Sequence, residues 1–268
     1  MRLIASMLVS SFVVTTVVTT AATADIVTVT FGNLQQSEGF AFTPAWLGFH
    51  DGSFNVFGPG QAASLFDGVE QVAELGDTSA LSSRFSSAQP LGLQMTVLDQ
   101  NGAPVFSPGE SRTVGFDLDP TQNAYFSFMS MLVPTNDLFI GNPAAIQLFN
   151  GGVFNGPVTI DIYGSMVWDA GTEVNDLLNG GAFVAGVDAT LGAKEGGFVH
   201  LLYSNGNAQS YLDSIVGTTT ADGGFISQSF NESTLLGRIT IVPAPGAGLF
   251  LVVSLLCSRG RRRDDHSC

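Results

Sequence analysis

The sequence predicts an all-β protein, an antiparallel β-sandwich with one or two short helices in an N-terminal connection. Three observations carry that expectation. Six or seven short apolar segments, several of them alternating, recur at roughly regular spacing. The 32 glycines and several turn dipeptides punctuate them. Neither a βαβ alternation nor a fixed-period repeat stands out.

The elements follow in chain order. Residues 26–31, Ile-Val-Thr-Val-Thr-Phe, alternate and read as a strand. Residues 43–54 are extended and end at the turn signal Asp51-Gly52. From Gln61 to Leu75 the residues Ala62, Leu65, Phe66, Val69 and Val72 recur at helical spacing, with Gly76 as the stop. A second short helical piece is expected over 79–86. Residues 93–99 read as a strand running into Asn101-Gly102. Residues 111–118 and 124–133 flank Asp119-Pro120 and read as a hairpin. Residues 157–164 alternate well, and 196–204 and 235–242 read as late strands.

Three segments organise the chain: 1–24, 25–242 and 243–268. The first has Arg2, an apolar run and Ala22-Thr23-Ala24 before Asp25, the pattern of a cleaved secretory signal peptide. A retained membrane anchor is the alternative. The last has Pro243 and Pro245, an apolar run over 246–257 and then Arg259, Arg261, Arg262 and Arg263. Twelve apolar residues are short for a span that needs about 20. This order resembles the PEP-CTERM sorting signal, although Ala244 stands where that signal usually has Glu. The resemblance implies export, processing at the membrane and delivery to the cell surface or outside. A plain C-terminal anchor is the alternative. Contact with a membrane is expected only through this segment, before processing. Both cysteines, Cys257 and Cys268, lie in it, so the domain has no disulfide and must rely on its core.

Charge excludes some partners. The whole chain carries a net −14. The segment 25–242 holds four basic residues against 21 acidic ones, a balance of −17. Nucleic-acid binding needs basic patches, and none exists. A bare anionic bilayer would repel this surface, whereas divalent cations would be drawn to it. A solvated acidic face that aids solubility is the plainer explanation of the bulk charge.

One stretch concentrates the acid. Trp168 to Asp176 reads WDAGTEVND and follows the strand pattern of 157–164. Asp169 and Glu173 lie four apart with Gly171 between them, and Gly permits a sharp bend. A calcium ion takes about six to eight oxygens, so two carboxylates are insufficient. Asp137, just beyond the strand pattern that Pro134 breaks, is the third candidate. Strand-end loops gather at one end of a sandwich, so the three acids have a way to meet. Thr135, Asn136, backbone carbonyls or water would complete the shell. The bland alternative has Asp169 capping a turn, Glu173 starting a helical turn and Asp137 merely exposed.

SMLVPTNDLFIG followed by WDAGTEVND resembles the spondin domain. That family carries a Pro-x-x-Asp-aromatic segment ahead of a Trp-Asp-Ala-Gly-Thr-Asp/Glu motif. Residues 42–63 and AELGDTSAL also resemble the N-terminal half of bacterial members. The resemblance spans roughly 27–242. It implies a β-sandwich like that of calcium-dependent membrane-binding domains. It also implies a calcium site that uses Asp137, Asp169 and Glu173. Glu173 stands where animal members carry Asp. The cysteines and thrombospondin-type repeats of those proteins are absent, so their heparin and matrix partners do not carry over.

No Gly-x-Ser-x-Gly elbow, His-Glu-x-x-His or Gly-rich phosphate loop is present. His200, in an apolar stretch, reads as a core or half-buried histidine, and His50-Asp51 as a local hydrogen-bonded pair. The 21 phenylalanines read mostly as core, with Phe54 and Phe57 candidates for exposure in a binding loop. The leading expectation is an exported, non-catalytic, calcium-binding module of the cell surface or extracellular matrix, a bacterial envelope protein that binds polysaccharide or another protein. A structural envelope protein with a purely stabilising cation is the competitor. A glycoside hydrolase built on the acids comes third.

Overall fold

The computed structural model describes residues 25–244. The predicted signal peptide and all but the first two residues of the C-terminal segment therefore lie outside the described residues. Within them, the first strands are β1 (Asp25–Asn33), β2 (Ala41–Phe42), β3 (Ala45–His50), β4 (Leu93–Val97) and β5 (Ser111–Leu118). The middle of the chain supplies β6 (Tyr125–Val133), β7 (Leu138–Gly141), β8 (Ile146–Gln147), β9 (Phe149–Asn150) and β10 (Val153–Phe154). The last strands are β11 (Val158–Tyr163), β12 (Val167–Asp169), β13 (His200–Leu201) and β14 (Leu235–Pro243). The helices are α1 (Val69–Leu75), α2 (Ser79–Ala88) and α3 (Ala208–Ile215).

The paired strands are antiparallel, as expected for a sandwich. A four-stranded sheet has the order β11-β14-β1-β5. The larger sheet runs β13-β12-β7-β6-β3-β4, with β2 and β8 also on β6. The alternation of β1 has a direct cause. Val27, Val29 and Phe31 are fully buried in the main core, and Thr28 and Thr30 point away from it.

β3 and β6 do not alternate, because the larger sheet is covered on both faces. Ala45, Leu47 and Phe49 join Phe126, Phe128 and Leu132 in the main core. Trp46 and Met129 face the opposite way, under α1 and α2, where they meet Val69, Val72, Leu81 and Phe85. A fully buried aromatic or aliphatic side chain contributes about 1.5–3 kcal/mol, so this second layer is a substantial part of the fold.

Phe54 and Phe57 belong to that layer, at 5% and 1% exposure. Phe54 meets Phe85 edge-on at 5.0 Å, and Phe57 meets Phe139 at 5.0 Å and Trp168 at 5.1 Å. The expectation that they are displayed for binding is overturned, because the sheet's outer face supplies an apolar roof for them. His50 is likewise fully buried and does not pair with Asp51. Its Nδ1 accepts from Gly52 N at 3.0 Å, which leaves Nε2 to donate to Ser127 Oγ at 3.1 Å. Asp51 accepts from Ser53 N and Oγ instead.

Other boundaries also moved. β5 and β6 are not a hairpin. β5 pairs with β1 and β6 with β3, so the chain crosses from one sheet to the other at Asp119-Pro120. Asp119 accepts from Thr121 N and Gln122 N, a compact turn that redirects the chain without requiring adjacent strands. The helix expected from Gln61 begins only at Val69, because Gly68 takes a left-handed conformation with φ of 95°. Its earlier part is a 3-10 turn at Ala63–Leu65. The strand expected over 196–204 is just β13, followed by a 3-10 turn at Leu202–Ser204. Half-buried His200 sits on it, with Nδ1 2.9 Å from Phe198 O. α3 was not expected at all.

Candidate functional site

β6 and β7 are joined by Pro134–Asp137, and the Val133–Pro134 bond is cis. This connection folds inward. Thr135, Asn136 and Asp137 are each 0% exposed. Thr135 Oγ1 donates to Leu132 O at 2.5 Å, and Asn136 Nδ2 donates to the carbonyls of Asp176 and Asn179. Both residues thus have their polar groups engaged within the scaffold.

β12 lies against β7, with Asp169 opposite Leu138, so the two acidic segments are neighbours by strand pairing. Asp137 Oδ2 accepts from Thr172 N at 2.8 Å, Thr172 Oγ1 at 3.1 Å and Glu173 N at 3.1 Å. Asp137 Oδ1 is buried with no partner. Asp169, 2% exposed, accepts from Gly171 N at 2.8 Å and from Asn175 Nδ2 at 2.9 Å. The first contact is the turn cap of the bland alternative, but Asp137 is buried and no helix begins at Glu173. Gly171 has φ of 65°, and a Cβ there would lie 2.7 Å from Phe198 N, so the motif needs glycine for both conformation and space.

The structure brings Asp137 and Asp169 together and turns the Glu173 carboxylate elsewhere. Burial, followed by the charge of Asp169, raises the Asp137 carboxyl to about 8, against the donors on its Oδ2. Burial, followed by the charge of Glu74, raises Glu173 to about 7, with Lys194 opposing. Glu173 pairs with Lys194 through an isolated backbone bridge, and its carboxylate lies over Gly192. Lys194 Nζ in turn donates to Glu70 Oε1 at 2.8 Å and to Glu74 at 2.9 and 3.0 Å on α1. A single cage of three carboxylates is therefore not formed. Among the described residues no group of three or more His, Cys, Asp or Glu side chains is arranged to hold a metal.

The chemistry that remains is oxygen-rich and lacks a counter-charge. Among the described residues, no salt bridge involves Asp137 or Asp169. Three oxygens of these two segments are buried without partners: Asp137 Oδ1, Glu173 Oε2 and Asn175 Oδ1. Such orphans are few in folded proteins and call for a cause. Asn175, Thr172, Lys194 and Tyr211 were missed by sequence reasoning. Thr172 and Asn175 carried a local signal, since both sit within the acidic motif.

Matched against known families, residues 36–179 fit Spondin_N. That segment is just over half of the chain and includes α1, α2 and both acidic motifs. No curated protein matches the sequence.

Proposed function

Because the chain belongs to the Spondin_N family, we propose that it is an exported, non-catalytic module of the cell surface or extracellular matrix that binds calcium at Asp137 and Asp169. The observation that carries the metal is the buried Asp137 Oδ1, which has no hydrogen-bond partner beside a second buried carboxylate. Ionising both carboxyls there without a counter-charge is costly, and a hard divalent ion is the species that offsets that cost with oxygen ligands. Asn175 Oδ1 is an additional unpartnered oxygen bonded through its amide to Asp169. Glu173, oriented by Lys194 and Gly192, belongs to this reading as an outer partner. When bound, the ion supplies positive charge and order to the loops; the chain's own residues hold the oxygens in place.

Calorimetric titration of the purified protein with calcium and magnesium tests the proposal. Saturable calcium binding is expected, abolished by Asp137→Asn and strongly weakened by Asp169→Asn. Identical behaviour of both variants and the parent protein would defeat it. One observation favours a purely stabilising ion: Asp137 and Asp169 are only 0% and 2% exposed, which leaves little open face for a ligand to share. Under that competitor, ligand binding survives chelation while the melting temperature falls.

A further inference from the structure

Beside the acidic loop lies a cleft of about 380 Å³ that shares Asp169 and Asn175 with the cation reading and is otherwise unused by it. One wall is Asp169, Val174 and Asn175. The other is the segment from Leu202 through α3 to Ser214, which lies wholly outside the matched residues 36–179. We propose that this cleft binds a neutral, polyhydroxylated ligand, a sugar residue of a polysaccharide. The proposal rests on the surface-module reading above and names the ligand class for it.

Charge decides the first point. No Lys or Arg lines the cleft, while Asp169 and Glu195 do. Phosphates, sulfated glycans and uronates would meet repulsion and no basic partner. Donor and acceptor supply decides the second. The side chains of Asn207 and Ser210 line the cleft and make no hydrogen bond to any described residue. Asn205 uses its Oδ1 on Asn207 N, and its Nδ2 is free of described partners. Amides and hydroxyls both donate and accept, which matches the dual character of sugar hydroxyls.

Shape decides the third. The half-exposed Val174 provides apolar surface for the C–H face of a sugar ring, above the buried Leu202 and Ala208 at the cleft floor. The volume lies near the lower end of the usual ligand-site range, about 300–1,000 Å³, which suits one or two sugar units. Tyr211 contributes its ring only, since its hydroxyl is bound to Asn136.

Affinity electrophoresis of the full protein through gels containing dextran, mannan, galactomannan or alginate tests this, with Ser210→Trp and Asn207→Ala alongside. Ser210 is exposed on α3, so the indole fills the cleft without entering the core. At least one neutral polysaccharide is expected to retard the parent. Affinity should fall about tenfold or more in either variant, as for truncating or blocking a central contact. The melting temperature and calcium titration of the variants should match the parent. No retardation by any neutral gel, retardation by alginate alone, or equal retardation of Ser210→Trp would each overturn the proposal. If sugar binding follows the variants while calcium heat is absent, the cleft stands and the cation reading fails. If calcium binds and no neutral gel retards the protein, the cleft alone falls.

Discussion

Tyr211 and Asn136 are joined twice: the phenol donates to Asn136 Oδ1 at 2.9 Å and accepts from Asn136 N at 3.1 Å. The pair links α3 to the buried turn that carries Asp137. Tyr211→Phe keeps the ring and leaves both Asn136 groups buried and unsatisfied. The expected cost is about 1–3 kcal/mol, since the lost partner exposes the full desolvation penalty. Urea unfolding measures it, and an unchanged midpoint would show that the pair does not fix the turn.

Gly192 is reserved space for Glu173. A Cβ at 192 would lie 2.0 Å from Glu173 Cδ, so Gly192→Ala should destabilise by on the order of 1–3 kcal/mol, the usual range for overpacking. Glu173→Ala removes the obstructing carboxylate. The double variant should therefore lose much less than the sum of the singles, a coupling read by a double-mutant cycle. Strict additivity would contradict the contact.

In the metal-free protein, Asp137 and Glu173 set a pH slope. Their folded values, about 8 and about 7, stand above the reference 3.8 and 4.5. Between each pair of values the folded state keeps a proton that the unfolded state has released. Stability therefore falls as pH rises from about 4 to about 8. His50, lowered by burial against the opposing charge of Asp51, acts in the other direction and loses stability as pH drops below 6.5. Thermal melts of Asp137→Asn beside the parent, both in chelator, isolate the first contribution. The parent should lose stability on the variant steadily as pH rises; parallel curves would refute the raised carboxyl.

Calcium should reverse that slope by favouring the ionised form. At a hundredfold excess over Kd the ion adds about 2.7 kcal/mol, or roughly 5–10 °C for a domain of this size. Differential scanning calorimetry with and without chelator checks it, and Asp169→Asn should show little of the gain.

Much of the sandwich was legible from short-range pattern. β1 and β14 show period-two burial, and β6 reads as a long apolar strand, although Ser127 and Ser130 within it hide the fact that it is covered on both faces. The crossing at Asp119-Pro120 was not legible, because a turn signal says that the chain bends and not which sheet receives it. α3 had a readable signature, Ala208, Tyr211, Leu212 and Ile215 at helical spacing, hidden within a segment rich in Ser and Asn. The proximity of Asp137 to Asp169 followed from motif order and strand ends. The orientation of Glu173 did not, because Lys194, Gly192 and Glu74 reach it from distant parts of the chain.

The backbone of the acidic loop is laced to a later segment: Glu195 N donates to Thr172 O, Gly197 N to Gly171 O and Val174 N to Ala193 O. β1 and β14, the two inner strands of the smaller sheet, also lie outside residues 36–179. The span that matches the family is thus smaller than the unit that packs as one core. Expressed alone, it would forfeit about a third of its buried apolar residues and leave the carbonyls of Gly171 and Thr172 and the N–H of Val174 bare; one-dimensional NMR should find collapsed, poorly dispersed signals where residues 25–244 give sharp ones.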